Sequence, residues 1–180
     1  SDSDTGEKIA LRSGEIVPCQ ITGCSAGTVG SPGELKGKFL SSHAIGSIRI
    51  NGENGVYGTT RTDFAGQMLE VAFAQEVETG DAEIWSTVSG QSPRAYRVRI
   101  ERVSDADPRR NMVLRVVDRT LLSQTGGIVQ GMSGSPIVQN GRLVGAVTHV
   151  LVNDPTRGYG IFAQTMLEQA ETVVKAEEPA

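Results

Sequence analysis

Along most of this chain apolar and polar positions alternate with a period of two, and the spacing turns helical only near the end. Residues 95–103 show it best. Tyr96, Val98 and Ile100 fall on one face, and Arg97, Arg99 and Glu101 on the other. Such alternation predicts a strand with one buried and one wet side, the arginines being the solvated face. The same pattern predicts strands over 82–88 and 112–117, with shorter ones over 36–40, 47–50, 56–60 and 68–73. Two further strands, 8–11 and 15–22, flank a Ser13-Gly14 turn. Residues 142–152 form the most apolar run and are expected centrally, with 159–163 returning beside them after Asn153-Asp154-Pro155, a strong turn signal. Loops are expected at 27–33, 51–55 and 105–111, and a brief helical turn at 119–123.

The tail reads differently. Thr165-Met166-Leu167-Glu168 has capping-box spacing. Met166, Leu167, Ala170, Val173 and Val174 share one helical face, so 165–175 is expected to be a helix that closes a β-structure.

Composition agrees with this picture. The chain has 180 residues, 22 of them glycine, and 4% aromatics. This is the profile of an all-β barrel or sandwich with enough length for a real core. A formal net charge of −4 gives no reason to expect nucleic acid or an acidic membrane surface as partner. No apolar run approaches the roughly 20 residues of a membrane span. No signal peptide is visible, and the opening at Ser1-Asp2 leaves a secreted origin open. Cys19 and Cys24 allow a disulfide only if Thr22-Gly23 forms a hairpin turn, and two ligands alone make no zinc site. Free thiols on a strand pair are the working expectation. The glycine-rich loop 27–33 lacks the Gly-Lys-Ser/Thr ending of a phosphate cradle.

The chemistry concentrates at Gly131-Met132-Ser133-Gly134-Ser135-Pro136. A serine between glycines, ahead of the β-branched Ile137-Val138, presents a hydroxyl on a tight turn. Glycine lets a substrate approach the main chain. The N–H groups of Gly131 and Ser133 are then candidates for an oxyanion hole, and Ser133 is the candidate nucleophile. The plain alternative is a hairpin turn with no chemistry. An α/β-hydrolase elbow requires glycine where Ser135 stands, and a helix afterwards. Residues 135–150 read instead as strand, turn, strand, which suits a chymotrypsin-like double β-barrel.

A nucleophilic serine needs a base, usually a histidine oriented by a carboxylate. The chain holds two histidines. His43 precedes Ser133, an order that suits such a barrel, with Asp63 between them as a third member; the alternative is a surface-loop histidine. His149 lies on the strand after the nucleophile turn. There it suits the wall of the pocket for the residue before the scissile bond, where an imidazole can donate to a side-chain carbonyl; core packing is the competing reading. Asp118 ends an apolar strand, where it can orient an imidazole or cap the turn 119–123.

Three segments carry a resemblance: Gly-Gly-Ile-Val-Gln-Gly-Met-Ser-Gly-Ser-Pro (126–136), Gln-Asn-Gly-Arg-Leu-Val-Gly-Ala-Val-Thr-His-Val (139–150) and Val-Asn-Asp-Pro-Thr-Arg-Gly-Tyr-Gly (152–160). Together they resemble the SpoIVB peptidase family, serine endopeptidases of endospore-forming bacteria. Weaker similarity runs through Ser31-Pro32-Gly33-Glu34, Ile45-Gly46 and 55–58, back to Ser1. The resemblance implies a nucleophile at Ser133 and an acidic partner at Asp118. The family's histidine lies in a stretch whose last two residues match Ser1-Asp2. The general base is therefore expected just upstream of residue 1, and His43 takes no catalytic role.

The implied architecture is a chymotrypsin-like double β-barrel with a C-terminal helix and an incomplete N-terminal barrel. Its lobes are expected at roughly 1–105 and 106–163, without the family's PDZ domain. By resemblance the enzyme is exported to the space between mother-cell and forespore membranes. There it cleaves itself and a regulator of a membrane-embedded protease in sporulation signalling. Its partner is a protein or peptide substrate, and no cofactor or metal is implied. Two rivals stand beside this reading: a protease-fold binding module without turnover, and a complete enzyme whose base is His43.

Overall fold

The computed structural model describes residues 14–62 and 66–175. The strand expected over 8–11, the Ser1-Asp2 match and Asp63 lie outside them.

The expected strand over 15–22 is two strands, β1 (Gly14–Ile16) and β2 (Cys19–Ser25). Pro18 sits at the break, where it has no N–H to give to a ladder. The two halves consequently join different sheets. β1 pairs with β4 (Gly46–Gly52), which pairs with β5 (Gly55–Thr60); β2 pairs with β3 (Glu34–Phe39). Cys19 and Cys24 lie on this one strand, with no turn at Thr22-Gly23, and both thiols are free.

The remaining strands close into a six-stranded antiparallel barrel. They are β6 (Gly80–Ser86), β7 (Arg94–Val103), β8 (Met112–Val116), β9 (Pro136–Gln139), β10 (Arg142–Leu151) and β11 (Asp154–Phe162), in the order β10-β11-β8-β7-β6-β9. By strand pairing the barrel begins at Gly80, ahead of the lobe boundary expected near residue 105. Interior positions alternate as the sequence predicts: Ala82, Ile84, Tyr96, Val98, Ile100, Met112, Leu114 and Val116 are buried. On the outer face Glu101 is held between Arg115 and Arg157, which face each other across β8 and β11.

Residues 68–73 are not a strand. They run extended along the barrel, with one bridge from Val71 to Leu143. Met68 is 93% and Phe73 61% exposed, and of this stretch only Ala72 is buried in the core, so the alternation that suggested a strand is not matched by a buried face.

α1 (Arg119–Thr125) extends the expected turn to a full helix, and α2 (Ala163–Lys175) begins two residues earlier than expected. The Thr165–Glu168 capping box does not form, because Thr165 already lies inside the helix and Glu168 Oε1 accepts from Gln164 Nε2. Leu167 is exposed, whereas Val173 is buried. α2 packs on β5, β10 and β11, joining the N-terminal sheet to the barrel.

The two halves also meet at β3. Leu35 N–H donates to the Gln130 carbonyl, and Gln130 N–H donates to the Gly33 carbonyl. The segment leading to Ser133 is thereby held between β3 and the barrel.

Candidate active site

The turn that carries Ser133 follows from its own sequence. Ile128, Val129 and Met132 are buried in the barrel core, Met132 to 1% exposure. An apolar anchor directly before the serine turns the next side chain outward, and Ser133 is exposed. Gly131 and Gly134 take φ of 95° and 87°, values that L side chains rarely adopt. Leu35 Cβ lies 3.1 Å from where a Cβ on Gly131 would sit. A side chain there would therefore be both strained and crowded.

The backbone amides of the turn divide into two sets. Met132 N–H donates to Val129 O, Gly134 N–H to Val147 O and Ser135 N–H to Met132 O. Among the described residues, the N–H groups of Gly131 and Ser133 have no such acceptor. An oxyanion hole needs two amides left over in this way beside an exposed hydroxyl.

Ser133 Oγ donates to the carbonyl of Thr148, at 2.7 Å. Thr148 lies at a register shift between β10 and β11, where Val147 pairs with Gly160 and His149 with Tyr159. Bulges of this kind leave a residue out of the ladder, so the Thr148 carbonyl is free to take the serine. Its own Oγ1 is shielded from solvent and has no partner among the described residues. Behind the turn, Ser135 Oγ donates to Ser86 Oγ at 3.0 Å, and both serines are buried. Thr148, Ser86 and Leu35 were not singled out from the sequence. They reach the site through β10, β6 and β3, and only the positions of strands far apart in the chain bring them there.

The other candidates are placed as follows. His43 lies in the exposed loop between β3 and β4, with Nδ1 3.1 Å from Ser41 Oγ, and its backbone N–H donates to the same hydroxyl. Asp118 is the N-cap of α1. Its Oδ1 accepts from Thr120 N–H at 2.9 Å and Leu121 N–H at 3.1 Å, while Oδ2 accepts from Arg97 N–H at 3.3 Å. Desolvation raises its pKa, but these amides and the Arg97 charge outweigh it, so the carboxyl sits below the ordinary aspartate value.

His149 is exposed as a residue and sits next to Thr148. Desolvation of its ring, then the charges of Arg110 and Arg109, hold its pKa below the ordinary histidine value. The Arg110 guanidinium lies 4.9 Å from the ring centre of Tyr159, its cross-strand neighbour. Both effects favour the neutral imidazole, which keeps one N–H to donate. No group of three or more metal-ligating side chains occurs among the described residues.

The model of a family described as SpoIVB peptidase S55 matches residues 1–167. Among solved structures, the chain is similar to Rv3671c from M. tuberculosis, crystallised as a serine-to-alanine mutant in an inactive form. The TM-score is 0.52 at 15% identity, covering 92% of this chain and 82% of that one. No curated protein matches. The structural likeness carries the fold: a mostly-β, chymotrypsin-like double-barrel arrangement with a C-terminal helix, as expected from the sequence around Ser133 and its family resemblance.

Proposed function

The chain belongs to the SpoIVB peptidase S55 family, and on that premise we propose a serine endopeptidase that cleaves peptide bonds through an acyl-enzyme on Ser133. One observation carries the assignment of Ser133: its hydroxyl is exposed on a turn whose Gly131 and Ser133 amides are unspent.

In the proposed mechanism Ser133 Oγ leaves the Thr148 carbonyl, passes its proton to a base and attacks the substrate carbonyl carbon. The oxyanion is received by the two amides. Collapse expels the amine, which takes the proton back, and water then releases the acyl group. In this reading the proton goes to an imidazole outside the described residues. His43 is engaged with Ser41. Asp118, the family's acidic position, spends both oxygens on three amides, and we assign it a positioning role at the corner between β8 and α1. His149 lines the pocket for the residue before the scissile bond, its neutral N–H offered to a side-chain carbonyl. Cleavage of the enzyme itself and of a regulator of a membrane-embedded protease, in the space between mother-cell and forespore membranes, is the corresponding biological role.

A second reading is favoured by one observation. The Ser133 hydroxyl donates to Thr148 O and not to an imidazole, which suits a peptide-binding module without turnover. Loss of a triad member costs roughly 10⁴- to 10⁶-fold in rate.

A fluorophosphonate probe decides between the two. On protein that carries the base imidazole, we expect labelling that is abolished by Ser133→Ala and unchanged by His43→Ala. Peptide binding without labelling supports the module instead. Loss of labelling in His43→Ala makes that residue the base.

A further inference from the structure

Ser133 stands between two flanks. On one lies Thr148, whose carbonyl holds the hydroxyl and which His149 follows in sequence. On the other a cavity of about 320 Å³ adjoins the turn itself, lined by Gly131, Gly134 and Pro136. Its walls come from distant strands: Ile21 of β2, Leu35 of β3, Trp85 of β6 and Pro93 ahead of β7. The hydroxyls of Ser86 and Ser135, which also line it, are already bonded to each other. Neither histidine nor any Lys, Arg, Asp or Glu lines this space.

A peptide crossing Ser133 must send the residues before and after the scissile bond to opposite flanks. This argument rests on the peptidase reading above, in which His149 faces the residue before that bond. We infer that the Ile21–Leu35–Trp85 cavity receives the side chain that follows the scissile bond, and that it selects a large apolar one. Three features support the choice. The cavity abuts Gly131, one of the two proposed oxyanion amides, so a side chain seated there lies within a residue of the reacting carbonyl. The walls Ile21, Leu35, Trp85 and Pro93 offer apolar surface, which favours apolar groups leaving water. A carboxylate or ammonium entering would find no opposite charge to offset its desolvation.

Trp85 makes the inference measurable, because it is the one tryptophan in the chain and is 37% exposed. The probes are leucine amide and aspartate amide, which mimic the amine released on cleavage. They are titrated into Ser133→Ala protein, in which no chemistry can occur. Leucine amide is expected to shift the Trp85 emission to the blue with saturation, and to bind at least tenfold tighter than aspartate amide. Thr87→Asp, which puts a charge on the cavity wall, is expected to cancel that preference, with circular dichroism confirming the fold. Equal responses to the two amides, or none, overturn the inference. The chemistry is judged separately by the fluorophosphonate label on unmodified protein. Labelling with no leucine preference removes the pocket alone, whereas leucine preference with no labelling removes the peptidase mechanism and leaves an apolar binding pocket.

Discussion

At the scale of single residues, the site depends on what stands beside Ser133 more than on the serine. Met132 is buried and fixes the turn from below, while Gly131 and Gly134 supply backbone angles that no larger residue holds comfortably. Asp118 tests how such residues should be read. As an N-cap, it should tolerate Asn, which caps about as well, whereas Ala should cost about 1 kcal/mol. In a chain of this size that is a melting temperature lower by roughly 2–4 °C. We expect Asp118→Asn to keep both the melting temperature and the fluorophosphonate labelling rate at neutral pH. A slowed rate at unchanged stability would give Asp118 a catalytic part. The pH dependence follows in sign. The folded pKa is depressed, so the carboxylate's stabilisation is complete above the ordinary value of 3.8 and is lost as pH falls through the folded value. Asp118→Asn should flatten that acid limb.

At the scale of elements, barrel closure rests on a short seam. β6 and β9 pair only through Glu83 with Val138 and Ile84 with Ile137. Both isoleucines have 0% exposure. Ile137→Ala should cost about 2–5 kcal/mol through lost contacts and the cavity left behind. Because the two side chains belong to directly paired positions, Ile84→Ala and Ile137→Ala should not be additive. A double-mutant cycle by urea unfolding should give a coupling of at least about 0.5 kcal/mol. Additive losses would mean that the seam is not where the barrel closes. Elements were largely legible in the sequence where one face of a strand is wet, as in β7. The prediction missed where local pattern and tertiary context disagree. Residues 68–73 carry apolar side chains yet gain only one bridge, and 15–22 is cut by Pro18 into strands of different sheets.

At the scale of the molecule, α2 ties the halves together by packing both on β5 of the N-terminal sheet and on β10 and β11 of the barrel. Val173 is the buried residue of its last described turn. Placing a charge there, as in Val173→Asp, requires either burying it unpaired or undocking the helix. The unmodified chain should unfold in one calorimetric transition, and Val173→Asp in two, the N-terminal sheets melting first. A single, merely lowered transition in the variant would show that the contacts of β3 with residues 130–131 suffice to couple the halves.

The sequence alone determined the class of fold and the family, and it singled out the turn on which the proposed nucleophile Ser133 stands. The fold class follows from period-two alternation, the family from the resemblance carried by residues 126–160, and the turn from glycines flanking the serine, all of them readable along the chain. The sequence could not decide what Ser133 faces. The acceptor of its hydroxyl is a carbonyl exposed by a bulge in β10, the cavity beside it is walled by β2, β3 and β6, and Asp118 turned out to hold a helix end. Those relations join residues far apart in the chain. Only the closing of the barrel against the N-terminal sheets sets the distances between them.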